Sequence, residues 1–482
     1  AGALTINAPT STGNSLVTCA TSATGIFTVT GAASITGNST STGAVTLGML
    51  TCALDVNGLM TITGGTNATG DAEITASTGT INFNAGLTFA GTLGNSRLTT
   101  SGANIINLIG TVNGAGTLSL TAGTLLKTTG ASVINAAFTT WKNIEVVSGT
   151  TTLGAAQTVT GLQVDNGAIF ASFTYLLTNT CAGTGVNGFT INGTYSGSGG
   201  VTLDTATCTI DGTGSVTNTG TFTLTNDKTV AATANLSVGG SASDVTVTAG
   251  TTTNNGIFTV AGSGGLTGAG GWTNAASSTL NTSGAGATAI SITTFTATAN
   301  LNTVKYNSAA GAQTVPSTTY HHLEIDKTAQ VATLGGAITT NGNLTISSGT
   351  LDTDSINSYP VNVAGNWSNL GTFTPNSSLV TFNAVAIGKT INSGGTVAGK
   401  TFYDITFNSG TGGWTIQTNN LKTTRNLTIT NVNDLTLESG RTLEVDGTYS
   451  IADIETAATT WTGSTLYLNS GTAYTVGAKT QS

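Results

Sequence analysis

TYHHLEIDKTAQVATLGGAITTNGNLTI, residues 319–346, is the stretch from which we derive the fold of this chain. Leu323 and Ile325 alternate with polar residues, and a second apolar alternation begins at Leu344 after the Gly335-Gly336 pair. An alternation of period two, interrupted by Gly and Asn, is typical of short β-strands joined by tight turns. The stretch therefore predicts strands of a few residues.

The same pattern recurs along the chain. Tyr320 precedes Leu323, and the same arrangement returns about 83 residues later, where Tyr403 precedes Ile405. A looser copy begins at Trp141. Recurrence of one unit is the signature of a repeat protein, which is a quasi-one-dimensional array rather than a set of unlike domains.

The composition favours such an array over disorder. Charged residues make up 7% of the chain, against roughly 25% in ordinary domains, and the 482 residues include 66 Gly but only 4 Pro. Disordered chains are usually charged and poor in β-branched residues, whereas Val, Ile and Thr occur throughout this one.

We predict an all-β fold, an elongated parallel β-solenoid. The alternative is a row of immunoglobulin-like β-sandwiches, since about 83 residues also suits one sandwich domain. The Gly-x-Phe-Thr pattern at Gly220 returns at Gly256, only 36 residues later, which is too close for separate sandwiches. The short strands and the scarcity of Pro also favour the solenoid.

Three regions differ in charge and in the clarity of the repeat. We expect a low-charge β-repeat region at residues 1–140, a second β-repeat region at 141–300, and repeats with the 83-residue unit at 301–482. The three form one continuous solenoid or separate parts.

The charge content excludes some partners. A net charge of −8 provides no basic face for nucleic acid, and no apolar run approaches the roughly 20 residues of a membrane-spanning helix. The start, Ala1-Gly2-Ala3 followed by an apolar strand, is typical of a processed N-terminus, so we expect an extracellular or cell-surface location.

Four cysteines occur as two pairs, Cys19 with Cys52 and Cys181 with Cys208. Each pair is separated by about one to one and a half solenoid turns, so two disulfides between neighbouring turns and four buried thiols remain open alternatives. The absence of CxxC spacing argues against zinc, and we expect no cofactor and no metal.

Carboxylates and histidines are the candidates for chemistry. Asp352 with Asp354, Glu324 with Asp326, and Glu444 with Asp446 are spaced i, i+2, which places each pair on one side of a strand and suits a shared proton or a cation. Surface carboxylates remain the simpler interpretation. The adjacent His321 and His322 are expected on opposite faces, one packed and one exposed.

Three tryptophans are candidates for binding glycans. Trp367, Trp414 and Trp461 lie about 47 residues apart, so that on one exposed face they would stack on sugars. Packing of these large rings in the core remains the simpler interpretation.

Residues 343–384, NLTISSGTLDTDSINSYPVNVAGNWSNLGTFTPNSSLVTFNA, and 402–409, FYDITFNS, resemble the β-strand repeats of large secreted bacterial surface proteins. Those repeats are similar to filamentous-haemagglutinin and autotransporter-passenger β-solenoids. The resemblance covers 301–482 well, 141–300 loosely and 1–140 in composition only. It implies an exported solenoid with a structural or adhesive role and transfers no catalytic motif.

The last segment of the chain bears on assembly. Thr475-Val476-Gly477 corresponds to Gln313-Thr314-Val315 of the earlier unit, so another unit is expected to follow, and no polar cap is evident. We therefore expect a non-enzymatic subunit of a filament, sheath or surface layer that stacks head-to-tail on itself. The alternative is an adhesin that binds glycans or other cells; a polysaccharide-degrading enzyme is a third hypothesis.

Overall fold

The computed structural model describes most of the chain. The described residues are 2–9, 13–19, 25–38, 43–66, 70–91, 95–114, 116–135, 141–182, 188–204, 208–240, 244–284, 289–451 and 461–469. Thr475-Val476-Gly477, on which the stacking prediction drew, lies outside them. By its internal contacts the chain divides into two compact units, Ala1–Thr252 and Thr253–Ser482. The division falls within the strand Thr251–Asn254, inside the predicted middle region.

Each unit is a parallel β-solenoid. Neighbouring turns pair strand on strand in parallel, for example Ala33–Thr36 on Met60–Gly64 in the first unit and Leu379–Phe382 on Asp404–Ile416 in the second. Immunoglobulin-like sandwiches pair their strands antiparallel, so the alternative is wrong and the solenoid is confirmed. Among the described residues there is no helix, and hence none long and apolar enough to cross a membrane.

The strands of the first unit follow three sides of a coil, and two long strands turn a corner and belong to two sides. The first side contains Leu4–Asn7, Ala33–Thr36, Met60–Gly64, Leu87–Gly91, Ile105–Gly114, Leu125–Ile134, Thr150–Leu153, Ile169–Phe173, Thr194–Gly197, Ser215–Asn218 and Asn235–Val238. The second contains Ser15–Thr18, Val45–Gly48, Ala72–Ala76, Ser96–Thr100, Thr117–Ser119, Gln157–Val159, Leu177–Asn179, Val201–Leu203, Phe222–Leu224 and Asp244–Val247. The third contains Ile26–Val29, Ala53–Val56, Ile81–Phe83, both long strands, Asn143–Val146, Gly161–Val164, Gly188–Ile191, Cys208–Asp211 and Lys228–Val230.

The second unit has the same three-sided plan, with more strands that turn a corner. Its first side contains Ile257–Val260, Thr279–Thr282, Thr303–Tyr306, His322–Leu334, Leu344–Asp352, Trp367–Asn369, Lys389–Asn392, Asp404–Ile416 and Leu427–Leu437. The second contains Gly265–Asn274, Ile290–Thr296, Gln313–Val315, the ends of His322–Leu334 and Leu344–Asp352, Thr372–Thr374, Leu421–Thr423, Thr442–Val445 and Thr465–Leu468. The third contains Thr319–Tyr320, Ile338–Thr340, Val361–Val363, Leu379–Phe382 and Tyr449–Ile451, with parts of the longer strands.

Turn length varies along the chain. In the first unit the paired residues lie from 18 apart, as in Asn143 with Gly161, to 30 apart, as in Ser15 with Val45. In the second unit the range is narrower, from 19 to 25 residues. Because the sides keep their registers, the variation is taken up by the corners.

The 83-residue recurrence is not a whole number of turns. Leu323 pairs with Leu344, and that series continues through Trp367 and Ile391 along one side. Ile405, its counterpart in the recurrence, pairs with Val380 on another side. The structural repeat is therefore the single turn, and the Tyr-led landmark changes sides when it recurs.

The interior of each unit is filled by the inward half of the alternation. Along His322–Leu334, Leu323 and Ile325 are buried while Glu324 and Asp326 face outward. In the second unit the core contains a continuous aromatic cluster, whose rings lie 4.9–6.3 Å from their neighbours and comprise Trp367, Phe373, Phe382, Phe402, Phe407 and Trp414. Contacts between turns thus reinforce the backbone ladder.

Some corners require glycine. Gly349 has a φ of 71°, a left-handed conformation that β-carbon-bearing residues rarely adopt. A Cβ added to it would lie 2.1 Å from the carbonyl oxygen of Lys327. Close stacking of backbone on backbone at the corners therefore explains part of the high Gly content.

Candidate functional site

The tryptophans predicted to bind glycans do not form an exposed row. Trp367 and Trp414 are each 1% exposed and belong to the aromatic core cluster, so the prediction is wrong for these two residues. Trp367 lies on the inward phase of Trp367–Asn369, and Trp414 on that of Asp404–Ile416. Trp461 is half-buried, and its Nε1 donates a hydrogen bond to the carbonyl oxygen of Leu435 at 2.8 Å.

The four cysteines form two disulfides. Cys19 is bonded to Cys52 with a Cα–Cα distance of 6.1 Å, and Cys181 to Cys208 with 5.3 Å. The bonded cysteines lie 33 and 27 residues apart in sequence, which is longer than the shortest turns of this unit. Of the two alternatives, the structure contains the disulfides and no free thiol among the cysteines.

Two of the three carboxylate pairs each hold a lysine from the preceding turn. Lys305 Nζ lies 3.1 Å from Glu324 Oε1 and 2.7 Å from Asp326 Oδ2. Lys422 Nζ lies 2.7 Å from Glu444 Oε1 and 2.9 Å from Asp446 Oδ2. In both clusters the lysine is the direct ladder partner of the glutamate. We call these two clusters the lysine clamps.

The lysine clamps raise the pKa of their lysines and lower the pKa of their aspartates. Lys305 is partly buried, which by itself lowers its pKa, but its hydrogen bonds to Asp326 and Glu324 outweigh this and raise the pKa above the ordinary lysine value. The hydrogen bonds that Lys305 and Ser348 donate lower the pKa of Asp326. Each clamp therefore favours the charged form of its aspartate, and the lysine offsets one of the two negative charges that the pair can carry.

Replacement of Lys305 by methionine is expected to lower the free energy of unfolding by about 1 kcal/mol at neutral pH, because the pair is partly exposed. The substitution leaves Glu324 and Asp326 as like charges, so the pKa of Asp326 should rise. The wild-type advantage is present above the unfolded Asp pKa of about 4 and should be lost as the pH falls below it. Urea unfolding at several pH values measures this.

Lys389→Met provides the matched control for that experiment. Lys389 is also a strand residue of the second unit, but it takes part in none of the ion pairs found among the described residues. Its replacement should leave the urea midpoint nearly unchanged at every pH. A Lys305→Met protein with the same pH profile as Lys389→Met would contradict the role of the clamp.

The third carboxylate pair is part of a turn. Asp352 Oδ1 accepts hydrogen bonds from the backbone N–H of Asp354 at 2.9 Å and from Asn376 Nδ2 at 2.7 Å. Asp354 Oδ1 accepts from the backbone N–H groups of Asn357 and Ile356, which lower its pKa. These carboxylates shape the corner. Among the described residues no cluster of three or more His, Cys, Asp or Glu side chains is placed to hold a metal ion.

The two histidines lie side by side at a corner. The ring centroids of His321 and His322 are 4.4 Å apart, both side chains are half-buried, and His322 Nδ1 accepts a hydrogen bond from the N–H of Asn343 at 2.9 Å. The expectation of opposite faces is wrong, because His321 falls between two strands, where the alternation is interrupted. Burial lowers the pKa of both, and in His322 the neighbouring His321 lowers it further.

Outward positions on the second side of the first unit form an unbroken column of threonine. Thr158, Thr178, Thr202, Thr223 and Thr246 are paired in that order on five successive turns. Their strand neighbours point inward and are buried, while the threonines are exposed or half-buried. We call this column the threonine ladder; it is a regular, uncharged stripe.

Two lysines are buried that were not among the predicted site residues. Lys228 and Lys327 are 1% and 0% exposed. The alternation does indicate them, because Lys327 continues the inward series of Leu323 and Ile325, and Lys228 shares the inward phase of Val230.

Comparison with known proteins does not assign the chain to a family. No protein-family model matches the chain, and no curated protein or solved structure is significantly similar to it. The resemblance to repeats of secreted bacterial surface proteins therefore holds for the β-solenoid fold, and its functional part is a proposal.

Proposed function

We propose that this protein is a non-enzymatic extracellular structural protein, a subunit that assembles with copies of itself into a filament, sheath or surface layer. The observation that carries the proposal is the regular and nearly uncharged outer surface, of which the threonine ladder is the clearest part. Such a stripe presents identical hydroxyl and methyl groups at each turn, about 4.8 Å apart, and suits close packing against a second regular surface.

Stacking end to end would extend the bonding that already joins the turns. Within each unit, neighbouring turns are held together by parallel strand pairing, and a strand edge accepts another strand by the same hydrogen bonds. A contact of this heterologous kind generates an open filament when the rotation between successive copies does not close a ring. The 7% content of charged residues leaves little electrostatic repulsion between copies.

The extracellular location is supported by the two disulfides. Disulfides persist in oxidising compartments and are rare in the cytosol. The two lysine clamps bear on the enzymatic alternative, since in each carboxylate pair both side chains are ion-paired to one lysine. Trp367 and Trp414 are buried and therefore do not support the adhesin alternative, in which exposed tryptophans stack on glycans.

Electron microscopy and sedimentation velocity of natively purified protein, without refolding, test the proposal. We expect fibres or sheets whose proportion increases with protein concentration and changes little with salt. A monodisperse monomer at high concentration would contradict it. Binding on a glycan array by that monomer would favour the adhesin.

Charges introduced on the threonine ladder distinguish end-to-end stacking of copies from side-by-side packing of the resulting fibres. Thr202→Lys with Thr223→Lys should prevent side-by-side packing and leave single fibres, whereas Thr202→Val with Thr223→Val keeps size and neutrality and should leave bundles intact. Equal bundling in both variants would show that the threonine ladder is not a contact surface.

A further inference from the structure

Lys327 is a buried amine that has no carboxylate partner in the part of the chain that the structure describes. Its side chain is fully buried, and none of the ion pairs among the described residues includes it. Nζ instead donates hydrogen bonds to the carbonyl oxygen of Gly311 at 2.9 Å and to Gln313 Oε1 at 2.7 Å. Burial of an uncompensated ammonium is costly, and desolvation lowers the pKa of Lys327 to about 8.

Gln313 presents its carboxamide to this amine in a fixed orientation. The residue is 2% exposed, and its Oε1 accepts the hydrogen bond from Lys327. Its Nε2 donates to the carbonyl oxygens of Thr282 at 3.0 Å and Gly284 at 3.2 Å, and lies 3.3 Å from Thr282 Oγ1. The amide plane is therefore held from both ends.

This geometry brings a nucleophile and an acyl carbon together. An amine 2.7 Å from Oε1 lies next to the carbon that bears this oxygen. A lysine whose charge is disfavoured by burial is nucleophilic at mild pH. Two groups held together in a packed interior react as if at very high concentration, because their orientation entropy has already been lost in folding.

We propose that Lys327 and Gln313 are joined by an intramolecular isopeptide bond that forms after folding. Nζ attacks Cδ of Gln313, a bond forms between Nζ and Cδ, and the bond between Cδ and Nε2 breaks. One proton of the neutral amine passes to Nε2, which leaves as ammonia. No oxidant, reductant or other co-reactant takes part.

The bond would remove the cost of the buried charge. The product is a neutral amide whose remaining N–H lies beside the carbonyl oxygen of Gly311. It also cross-links two successive turns of the second unit through residues 14 apart in sequence. Lys228 differs, because its Nζ donates hydrogen bonds to the backbone carbonyl groups of Thr225, Asn226 and Asp227.

Mass spectrometry of the full chain, after reduction and digestion with trypsin, tests the proposal. Residues 306–327 follow Lys305 and contain both partners. We expect no cleavage after Lys327, and a peptide covering residues 306–389 with a mass lower than its sequence by one ammonia. Cleavage after Lys327, with all peptides at full mass, would overturn the proposal.

Variants test whether Lys327 and Gln313 are the residues whose reaction releases the ammonia. Lys327→Met and Gln313→Leu should each restore the full mass of this region, while Lys228→Met should retain the loss. Loss of ammonia that persists in Lys327→Met would also overturn the proposal. Should either variant fail to fold, the fragmentation spectrum of the wild-type peptide decides, since the bond prevents backbone fragments from separating between residues 313 and 327.

Discussion

Replacement of Trp367 by alanine is expected to lower the free energy of unfolding of the second unit by about 3–5 kcal/mol. The indole is 1% exposed, and its ring lies 4.9 Å from that of Phe373, 4.9 Å from that of Phe402 and 6.3 Å from that of Phe382. Trp367, Phe373 and Phe382 lie on the three sides of one turn, and Phe402 lies in the next, so the cavity would weaken two successive rungs. The midpoint of urea unfolding measures the loss, and hydrogen exchange of the neighbouring turns locates it.

Trp367→Phe is the matched variant. Trp367 Nε1 is buried without a hydrogen-bond partner among the described residues, so phenylalanine keeps an aromatic ring and removes an unsatisfied donor. We expect a cost below about 1.5 kcal/mol. Full stability of Trp367→Ala together with loss of glycan binding would instead restore the glycan-stacking prediction for this residue.

Local periodicity was sufficient to predict the strands and much of the core. Leu323 and Ile325 alternate with outward residues, and Trp367 keeps the phase of Val361 and Val363, so the alternation itself indicates that the indole points inward. The prediction of an exposed Trp row failed because it used a 47-residue spacing instead of this phase. The prediction for His321 was wrong for the opposite reason: it relied on the alternation, which is interrupted at the corner where His321 lies.

Contacts between side chains of neighbouring turns could not be predicted from the sequence. Lys305 faces Glu324 because that turn advances 19 residues, and Lys422 faces Glu444 because its turn advances 22. The corners set these lengths, and no periodic signal fixes how many residues a corner contains. The lysine clamps, and likewise the contact of Lys327 with Gln313, follow only once the registers are known.

Removal of the disulfide between Cys181 and Cys208 is expected to lower the free energy of unfolding of the first unit by roughly 3–4 kcal/mol, the value for a loop of this size. The loop contains 27 residues, and its closure restricts the unfolded chain far more than the folded one. Cys181→Ala with Cys208→Ala removes both sulfurs together and leaves no unpaired thiol. The urea midpoint under oxidising conditions measures the loss.

Reduction of the wild-type protein provides the control for this pair of substitutions. A reductant should lower the wild-type midpoint by more than it lowers that of the double variant, because only the bond between Cys19 and Cys52 remains to be reduced in the variant. Equal midpoints for oxidised wild type, reduced wild type and variant would mean that these thiols are not paired. The extracellular proposal would then lose its main structural support, because it depends on bonds that the cytosol does not maintain.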